Sequence, residues 1–264
     1  MAQNTKTDMN SEAMITQAAT METARQIIDR HLAATAATLV AFDVDMTLTV
    51  PRHPACHHPN MQMHQAALKH LLKSLSEVEE DIALTLATQV SGQQLAEKDT
   101  PIVVKTLQNQ GITTIAFTAS LTGTLEGLGH LQERRFQDLQ ALSMNFQSAF
   151  TFQELLLDEL PAHHHNHPAY HQGILYANGG REANNKGAVL VAFLQRVGWK
   201  PQRVVMVDDV LKNLTDIAQA LTVWDPTIEF VGIEYHGAQT YASQNITEEH
   251  FVTYWQGIID QVNA

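Results

Sequence analysis

The chain has 264 residues, which is enough for one large domain or for a core domain with an insertion. It carries 16 Lys and Arg residues against 28 Asp and Glu residues, and its formal charge of −12 disfavours nucleic acid as a partner. The single cysteine, Cys56, excludes an internal disulfide and suits a reducing compartment.

The N-terminal residues predict a tail followed by a helix. Residues 1–16 are polar and aperiodic, so we expect a flexible tail, and an apolar pattern over residues 15–32 predicts a helix. The start lacks the charged and apolar regions of a signal peptide, and no apolar run reaches the roughly 18 residues that a membrane span requires. These features predict a cytoplasmic protein without a membrane partner, and export without a cleavable signal stays an open alternative.

Four short apolar runs predict the strands of a buried sheet. They occupy residues 38–43, 112–118, 203–208 and 228–235. Helical patterns lie between them, at residues 101–110, 186–197 and 210–221. This alternation predicts an α/β fold with a doubly wound parallel sheet, because consecutive parallel strands need helical crossovers. In such a sheet, ligands bind at the carboxyl ends of the strands.

Two segments interrupt this alternation. The pattern of Met, Leu and Ile over residues 53–97 predicts a small helical cap, which divides the core into residues 17–52 and 98–264. A later segment shows a strand-like or hairpin pattern at residues 170–178. The amphipathic pattern at residues 248–262 predicts a final helix that docks on the sheet.

The strongest local signal is the sequence Asp43-Val44-Asp45-Met46-Thr47, directly after the first predicted strand. Two carboxylates one residue apart can divide the work of phosphoryl transfer. Asp43 would attack phosphorus, and Asp45 would protonate the leaving oxygen. The alternative is an Asp-rich turn that caps the next element.

Three later features supply what phosphoryl transfer also requires. Thr118 ends the second predicted strand and can donate to a phosphoryl oxygen, although an ordinary helix N-cap is the alternative role. Lys186 opens a helix and can offset the repulsion between phosphate and Asp43, although most lysines simply lie at the surface. Asp208 and Asp209 end the third strand, where an acidic pair favours a hard cation beside Asp43 over a solvated turn.

Four segments of the chain carry a family resemblance. In chain order, FDVDMTLT, IAFTAS, NNKG and VMVDDVLKN resemble the motifs of the haloacid-dehalogenase-like hydrolase superfamily. Within that superfamily, the helix before the first strand and the last strand, FVGIEY, resemble a bacterial group of unknown function, the DUF2608 type. The superfamily resemblance covers residues 36–50, 100–122 and 174–236, and it leaves out the insertions that select the substrate.

The resemblance implies a role for each motif residue. Asp43 would form an aspartyl-phosphate, and Asp45 would act as general acid and then as general base for the hydrolytic water. Mg²⁺ would be held by Asp43, Asp208 and the backbone carbonyl of Asp45. Thr118 and Lys186 would bind the phosphoryl oxygens.

The resemblance also implies supporting roles, in which Thr47 and Asp209 act through water or through outer contacts. Related phosphatases often have an Arg after the second motif, where this chain has Ser120. The resulting prediction is a Mg²⁺-dependent phosphomonoesterase for a small phosphorylated substrate. A phosphotransferase with the same nucleophile and a catalytically silent binding or regulatory protein are the alternatives. The sequence indicates neither the natural substrate nor the oligomeric state.

Two groups of histidines have open interpretations. The first predicts a solvated loop rather than a zinc site, because no Cys or Asp stands beside it at ligand spacing. It comprises His163, His164, His165 and His167. The second follows the aspartate motif, where it would either contact substrate from the cap or form a polar hinge. It comprises His53, His57 and His58.

Overall fold

The computed structural model describes residues 14–32, 37–179 and 184–263, and its centre is an eight-stranded, mostly parallel sheet. The strands are β1 (Met14–Ala18), β2 (Thr38–Phe42), β3 (Thr49–Pro51), β4 (Gln93–Leu95), β5 (Thr113–Thr118), β6 (Thr124–Leu125), β7 (Gly129–His130), β8 (Glu154–Leu156), β9 (Ala169–His171), β10 (Ile174–Tyr176), β11 (Arg203–Asp208) and β12 (Glu229–Tyr235). The order across the sheet is β1, β12, β11, β2, β5, β10, β9 and β8. Neighbours from β1 to β10 run parallel, whereas β9 and β8 add antiparallel pairs.

Helices cover both faces of this sheet. They are α1 (Met21–His31), α2 (His58–Met63), α3 (Gln65–Leu72), α4 (Glu77–Val90), α5 (Thr100–Asn109), α6 (Leu131–Ala141), α7 (Lys186–Arg196), α8 (Leu211–Trp224) and α9 (Glu248–Val262). Side chains alternate along β2, so Val40 and Phe42 pack with α1, α5 and α6, whereas Leu39 and Ala41 pack with α7 and α8. The prediction of an α/β fold is confirmed, and its four core strands correspond to β2, β5, β11 and β12.

The predicted N-terminal tail is wrong at its C-terminal end. Residues 14–16 belong to β1, which pairs in parallel with β12 so that Ile15 lies opposite Gly232. The predicted helix also begins later, at Met21, because the Thr20 side chain accepts the Thr23 backbone N–H and caps α1. A strand of five residues at the edge of a sheet, with an interrupted apolar pattern, is hard to distinguish from a tail by sequence. Residues 1–13 of the predicted tail lie outside the described residues.

The segment predicted as a cap contains the helices α2, α3 and α4. It leaves and rejoins the core through the antiparallel pair of β3 and β4, in which Val50 lies opposite Gln94. A capping box starts α4: Ser76 accepts the Glu79 N–H, and the Glu79 carboxylate accepts the Ser76 N–H. The cap therefore stands on a two-stranded base.

The prediction that the last helix docks on the sheet is wrong. The apolar face of α9 packs on the cap helices, where Phe251 and Trp255 share a buried cluster with Leu68 of α3 and Leu86 of α4. The Trp255 indole N–H also donates to the Ala55 carbonyl at 3.2 Å. An amphipathic pattern shows that a helix has an apolar face, but it does not show which surface that face meets. The C-terminal part of the predicted core thus completes the cap.

The strand-like pattern at residues 170–178 forms a hairpin of β9 and β10. Its turn requires a glycine, since Gly173 has a φ of 90° and a Cβ there would lie 2.2 Å from the Phe146 carbonyl carbon. Among the helices in the described ranges, none has the length and apolar character needed to cross a membrane.

Candidate functional site

The loop after β2 places two aspartates at the carboxyl edge of the sheet. The Asp43 N–H donates to the Val207 carbonyl at 2.8 Å, which extends the pairing of β2 with β11. The chain then turns sharply, since the Thr49 N–H donates to the Val44 carbonyl at 2.9 Å and Met46 adopts a positive φ of 65°. This turn brings Asp45 next to the end of β5 while Asp43 stays beside β11.

Lys186 joins three chain segments at this edge. Its buried ammonium donates to Asp43 Oδ1 at 2.5 Å, to Asp208 Oδ2 at 2.7 Å and to the Phe117 carbonyl at 3.0 Å. The lysine is fixed at the first residue of α7, where the side chain of Asn185 caps the helix by accepting the Ala188 N–H. Lys186, Asp43 and Asp208, which are far apart in sequence, are thus in direct contact.

Three carboxylates at this edge form a candidate cation site. Oxygens of Asp43, Asp208 and Asp209 lie within 4.8 Å of one another. Among the described residues, Lys186 is the cation in contact with this cluster, through Asp43 and Asp208. Three carboxylates and one ammonium leave two formal negative charges, a balance that fits a divalent cation with hard oxygen ligands. The sequence predicts only an outer role for Asp209, whereas its carboxylate lies among the potential ligands.

Burial and mutual repulsion shift the proton affinities of this cluster. Burial raises the pKa of Asp43 well above its ordinary value of 3.8; Lys186 opposes this shift, and the neighbouring aspartates add to it. Burial, reinforced by the charge of Asp208, raises the pKa of Asp209 to about 7. Burial disfavours the Lys186 ammonium, yet Asp208 and Asp43 together raise the pKa of this lysine above its usual value. The cluster therefore lacks positive charge.

Asp45 has a separate set of partners. Its Oδ2 accepts from Arg135 Nη2 at 3.0 Å, from Ser120 Oγ at 3.2 Å and from Thr118 Oγ1 at 3.4 Å. Its Oδ1 lies 3.0 Å from Arg135 Nη1, as an ion-pair contact without hydrogen-bond alignment. Thr118 thus faces Asp45 at the end of β5. The other predicted supporting residue, Thr47, is fully buried, and its hydroxyl has no hydrogen-bond partner among the described residues.

Arg135 is the site residue that the sequence analysis misses. It lies on α6 and is only 1% exposed, and its Nη2 donates to Ser120 Oγ at 3.0 Å. The chain thus supplies, from a later helix, a guanidinium next to Ser120. One signal was available: Arg135 falls on the apolar face of α6, beside Leu131 and Leu139 at helical spacing, where a charge needs a buried partner.

A known protein family matches most of the chain. Residues 17–259 match a family described as "Protein of unknown function (DUF2608)". The chain belongs to the DUF2608 family. The resemblance to that group is therefore confirmed, and all the site residues lie within the match. No curated protein matches the sequence.

A cavity of about 230 Å³ lies beside Asp45 in this DUF2608 protein. The cap helix α4 forms one wall, and the loops after β5 and β10 form the other. The lining residues are Asp45, Asp81, Leu84, Thr85, Thr88, Ala119, Ser120, Leu121 and Gly179. A small molecule bound there would contact both the cap and the strand ends.

The histidines of this DUF2608 chain mainly join its elements. His163 Nε2 lies 2.8 Å from Asp81 Oδ2 on α4, so an Asp partner that is distant in sequence does reach the His-rich loop. His57 bonds to the Pro51 carbonyl and to Ser243 Oγ, each at 2.7 Å, and so links the start of the cap segment to the loop before α9.

The ring of His53 stacks on Tyr254 with 3.8 Å between centroids. Among the described residues, no histidine joins the carboxylates of the candidate cation site.

Proposed function

We propose that this DUF2608 protein is a Mg²⁺-dependent phosphohydrolase of the haloacid-dehalogenase-like type, which acts through an aspartyl-phosphate on Asp43. The observation that carries the proposal is the contact of Lys186 with both Asp43 and Asp208, at 2.5 and 2.7 Å. Asp45 stands two residues beyond the nucleophile with its own partners, so the two carboxylates are held in different surroundings. Different surroundings suit different roles in catalysis.

The candidate cation site supports Mg²⁺ as the metal. Asp43, Asp208 and Asp209 would hold it, and the backbone carbonyl of Asp45 is a further oxygen that this proposal assigns to it. When bound, the ion would supply charge stabilisation for the phosphoryl oxygens.

The side chains of the site then divide the reaction. An Asp43 carboxylate oxygen forms a bond to phosphorus while the bond from phosphorus to the leaving oxygen breaks, and Asp45 gives that oxygen a proton. Asp45 next takes a proton from a water molecule, whose oxygen attacks phosphorus and releases Asp43 with inorganic phosphate. Lys186 and the hydroxyl of Thr118 stabilise the charge on the phosphoryl oxygens.

The cavity beside Asp45 offers room for part of a leaving group. A cavity of about 150 Å³ holds a benzene molecule, so on the same scale about 230 Å³ holds roughly nine non-hydrogen atoms. The part of a substrate that lies between α4 and the strand ends is therefore small, which suits a small phosphate monoester.

The decisive experiment measures phosphate release from a panel of small phosphate monoesters with Mg²⁺. Replacing the nucleophile by Asp43→Asn should reduce the rate by at least about 1,000-fold, because no aspartyl-phosphate can form. Asp158→Asn is the matched control, since Asp158 is exposed and forms its ion pair with Arg196, away from the site, and it should leave the rate unchanged. Equal rates for Asp43→Asn and the unmodified protein would refute the proposal.

Two further outcomes decide between the remaining alternatives. If an added alcohol captures the phosphoryl group in place of water, the protein is a phosphotransferase with the same nucleophile. If the protein binds Mg²⁺ but releases phosphate from no ester, a binding or regulatory function replaces the proposal.

A further inference from the structure

Arg135 connects the cap to Asp45. Its guanidinium contacts Asp45 and Ser120 on one side and the side chain of Gln89, near the end of α4, on the other. With the Gln89 amide oriented so that its oxygen faces the guanidinium, that oxygen accepts from Nη2 at 2.7 Å and from Nε at 3.2 Å. A single planar group therefore touches both a catalytic carboxylate and the helix that forms the wall of the cavity.

The surroundings of Arg135 leave it few alternatives. Arg135 and Gln89 are 1% and 2% exposed, so neither can exchange its partner for bulk water without movement of the cap. A buried guanidinium needs charged or polar partners, and its rigid fork fixes the plane in which those partners must lie. The position of the Asp45 carboxylate therefore depends on the contact between α4 and α6.

We propose that Arg135 is a positioning residue, which holds Asp45 in its reacting position only while the Gln89 end of α4 is seated on α6. The inference rests on the proposed function, and it adds a device that links closure of the cap to proton transfer at the leaving oxygen. The inference assigns Arg135 to Asp45 and Ser120, to which its Nη2 donates, and not to the substrate. Its loss should leave ester binding intact and slow the step that needs Asp45.

The neighbouring residue offers a matched control. Arg134 also lies on α6 and also bonds to the end of α4, since its Nη2 donates to the Gln89 backbone carbonyl at 2.9 Å. It does not contact Asp45 in the structure. A general weakening of the α6 and α4 contact would show in both variants, whereas the proposed role would show only at Arg135.

The test compares steady-state kinetics of Arg135→Lys, Gln89→Leu and Arg134→Lys with the unmodified protein. We expect kcat for an alkyl phosphate to fall about 100-fold in Arg135→Lys and about 10-fold in Gln89→Leu, with KM changed by less than about threefold. Arg134→Lys should stay within about twofold. In the double variant Arg135→Lys with Gln89→Leu, the second change should not lower kcat further, because Gln89 acts through Arg135.

A second readout distinguishes positioning from a structural role. An aryl phosphate has a good leaving group and needs little help from Asp45, whereas an alkyl phosphate needs a proton. The ratio of alkyl to aryl turnover should therefore fall about tenfold in Arg135→Lys and in Gln89→Leu. A variant that merely lost folded protein would slow both esters equally.

Several outcomes would overturn the inference. These are unchanged kinetics in Arg135→Lys, an equal loss in Arg134→Lys, or an unchanged ratio of alkyl to aryl turnover. Thermal unfolding shows whether Arg135→Lys folds. If it does not, Gln89→Leu alone tests the inference, because that variant keeps the Arg135 guanidinium. If the unmodified protein and Asp43→Asn are equally inactive, the proposed function fails and the inference falls with it. Activity that depends on Asp43 but not on Arg135 refutes the inference alone.

Discussion

The three carboxylates at the carboxyl edge of the sheet predict how stability responds to pH and Mg²⁺. The pKa of Asp209 is raised from 3.8 to about 7, so between these values the folded protein keeps a proton that the unfolded chain releases. The stability of the metal-free protein should therefore fall as pH rises through this window. Mg²⁺ competes with that proton, so it should stabilise the protein more at pH 8 than at pH 5.

Thermal unfolding with and without Mg²⁺ checks this prediction. At a concentration of 100 times its Kd, the ion should raise Tm by about 5–10 °C at pH 8 and by clearly less at pH 5. In Asp209→Asn the pH dependence of the Mg²⁺ effect should shrink. An equal shift at both pH values would show that Asp209 does not exchange a proton for the metal.

Cys56 predicts a second property at the scale of one residue. Its thiol is buried in the cap cluster, where it donates to the Ala87 carbonyl at 3.4 Å, and burial raises its pKa to about 12. The thiolate is the reactive form, so the folded protein should not react with a thiol reagent at pH 8. One equivalent should react within minutes after denaturation. Rapid labelling of the folded protein would mean that the cap opens readily.

The sequence predicted the site at this scale where neighbouring residues carry the signal. Asp43 and Asp45 are separated by one residue, and Asp208 and Asp209 come at the end of a continuous apolar strand, so the local pattern was enough to single them out. Arg135 was missed because its partner is 90 positions away, and only the packing of α6 brings the two together. The place of Asp209 among the potential ligands likewise depends on side-chain direction, which the order of residues does not fix.

At the scale of one element, the packing of helix α9 leads to a prediction about the free energy of unfolding. Trp255 is fully buried in the cluster that α9 shares with the cap helices. Replacing it by Ala should lower the free energy of unfolding by about 3–5 kcal/mol, because the cavity that remains cannot collapse completely. Val223→Ala on α8 is a suitable control, since Val223 is 87% exposed and should change stability little.

Chemical denaturation of both variants measures these free energies of unfolding. Hydrogen exchange then tests which elements α9 packs on. If α9 docked on the sheet, hydrogen exchange in Trp255→Ala would rise mainly at the strands. We expect it to rise mainly in α3 and α4, which the Trp255 side chain holds together.

The elements themselves were predictable to different degrees. The strands β2, β5, β11 and β12 are continuous apolar runs, which is the pattern of parallel strands buried on both faces. The edge strand β1 carries only half of such a pattern, so it was mistaken for a tail. The docking of α9 was wrong because periodicity gives the direction of an apolar face and not its partner.

The charge of the whole molecule sets the conditions for binding a phosphate. A formal charge of −12 repels an anion, and the buried cations that the described residues bring to the site, Lys186 and Arg135, are already paired with carboxylates. A phosphoryl group would therefore need further positive charge, which is what the candidate cation site supplies in the proposal. We therefore expect the protein to bind a phosphate only when a divalent metal is present.

The pairing of α9 with the cap has a consequence for synthesis on the ribosome. Residues 54–90 emerge early, yet the apolar cluster they form also needs Phe251 and Trp255, which are translated near the end. Until then the nascent cap exposes apolar surface that chaperones would recognise. A message truncated after β12 would encode every strand described above but leave this surface exposed, and such a product should be degraded rather than accumulate as a partly folded protein.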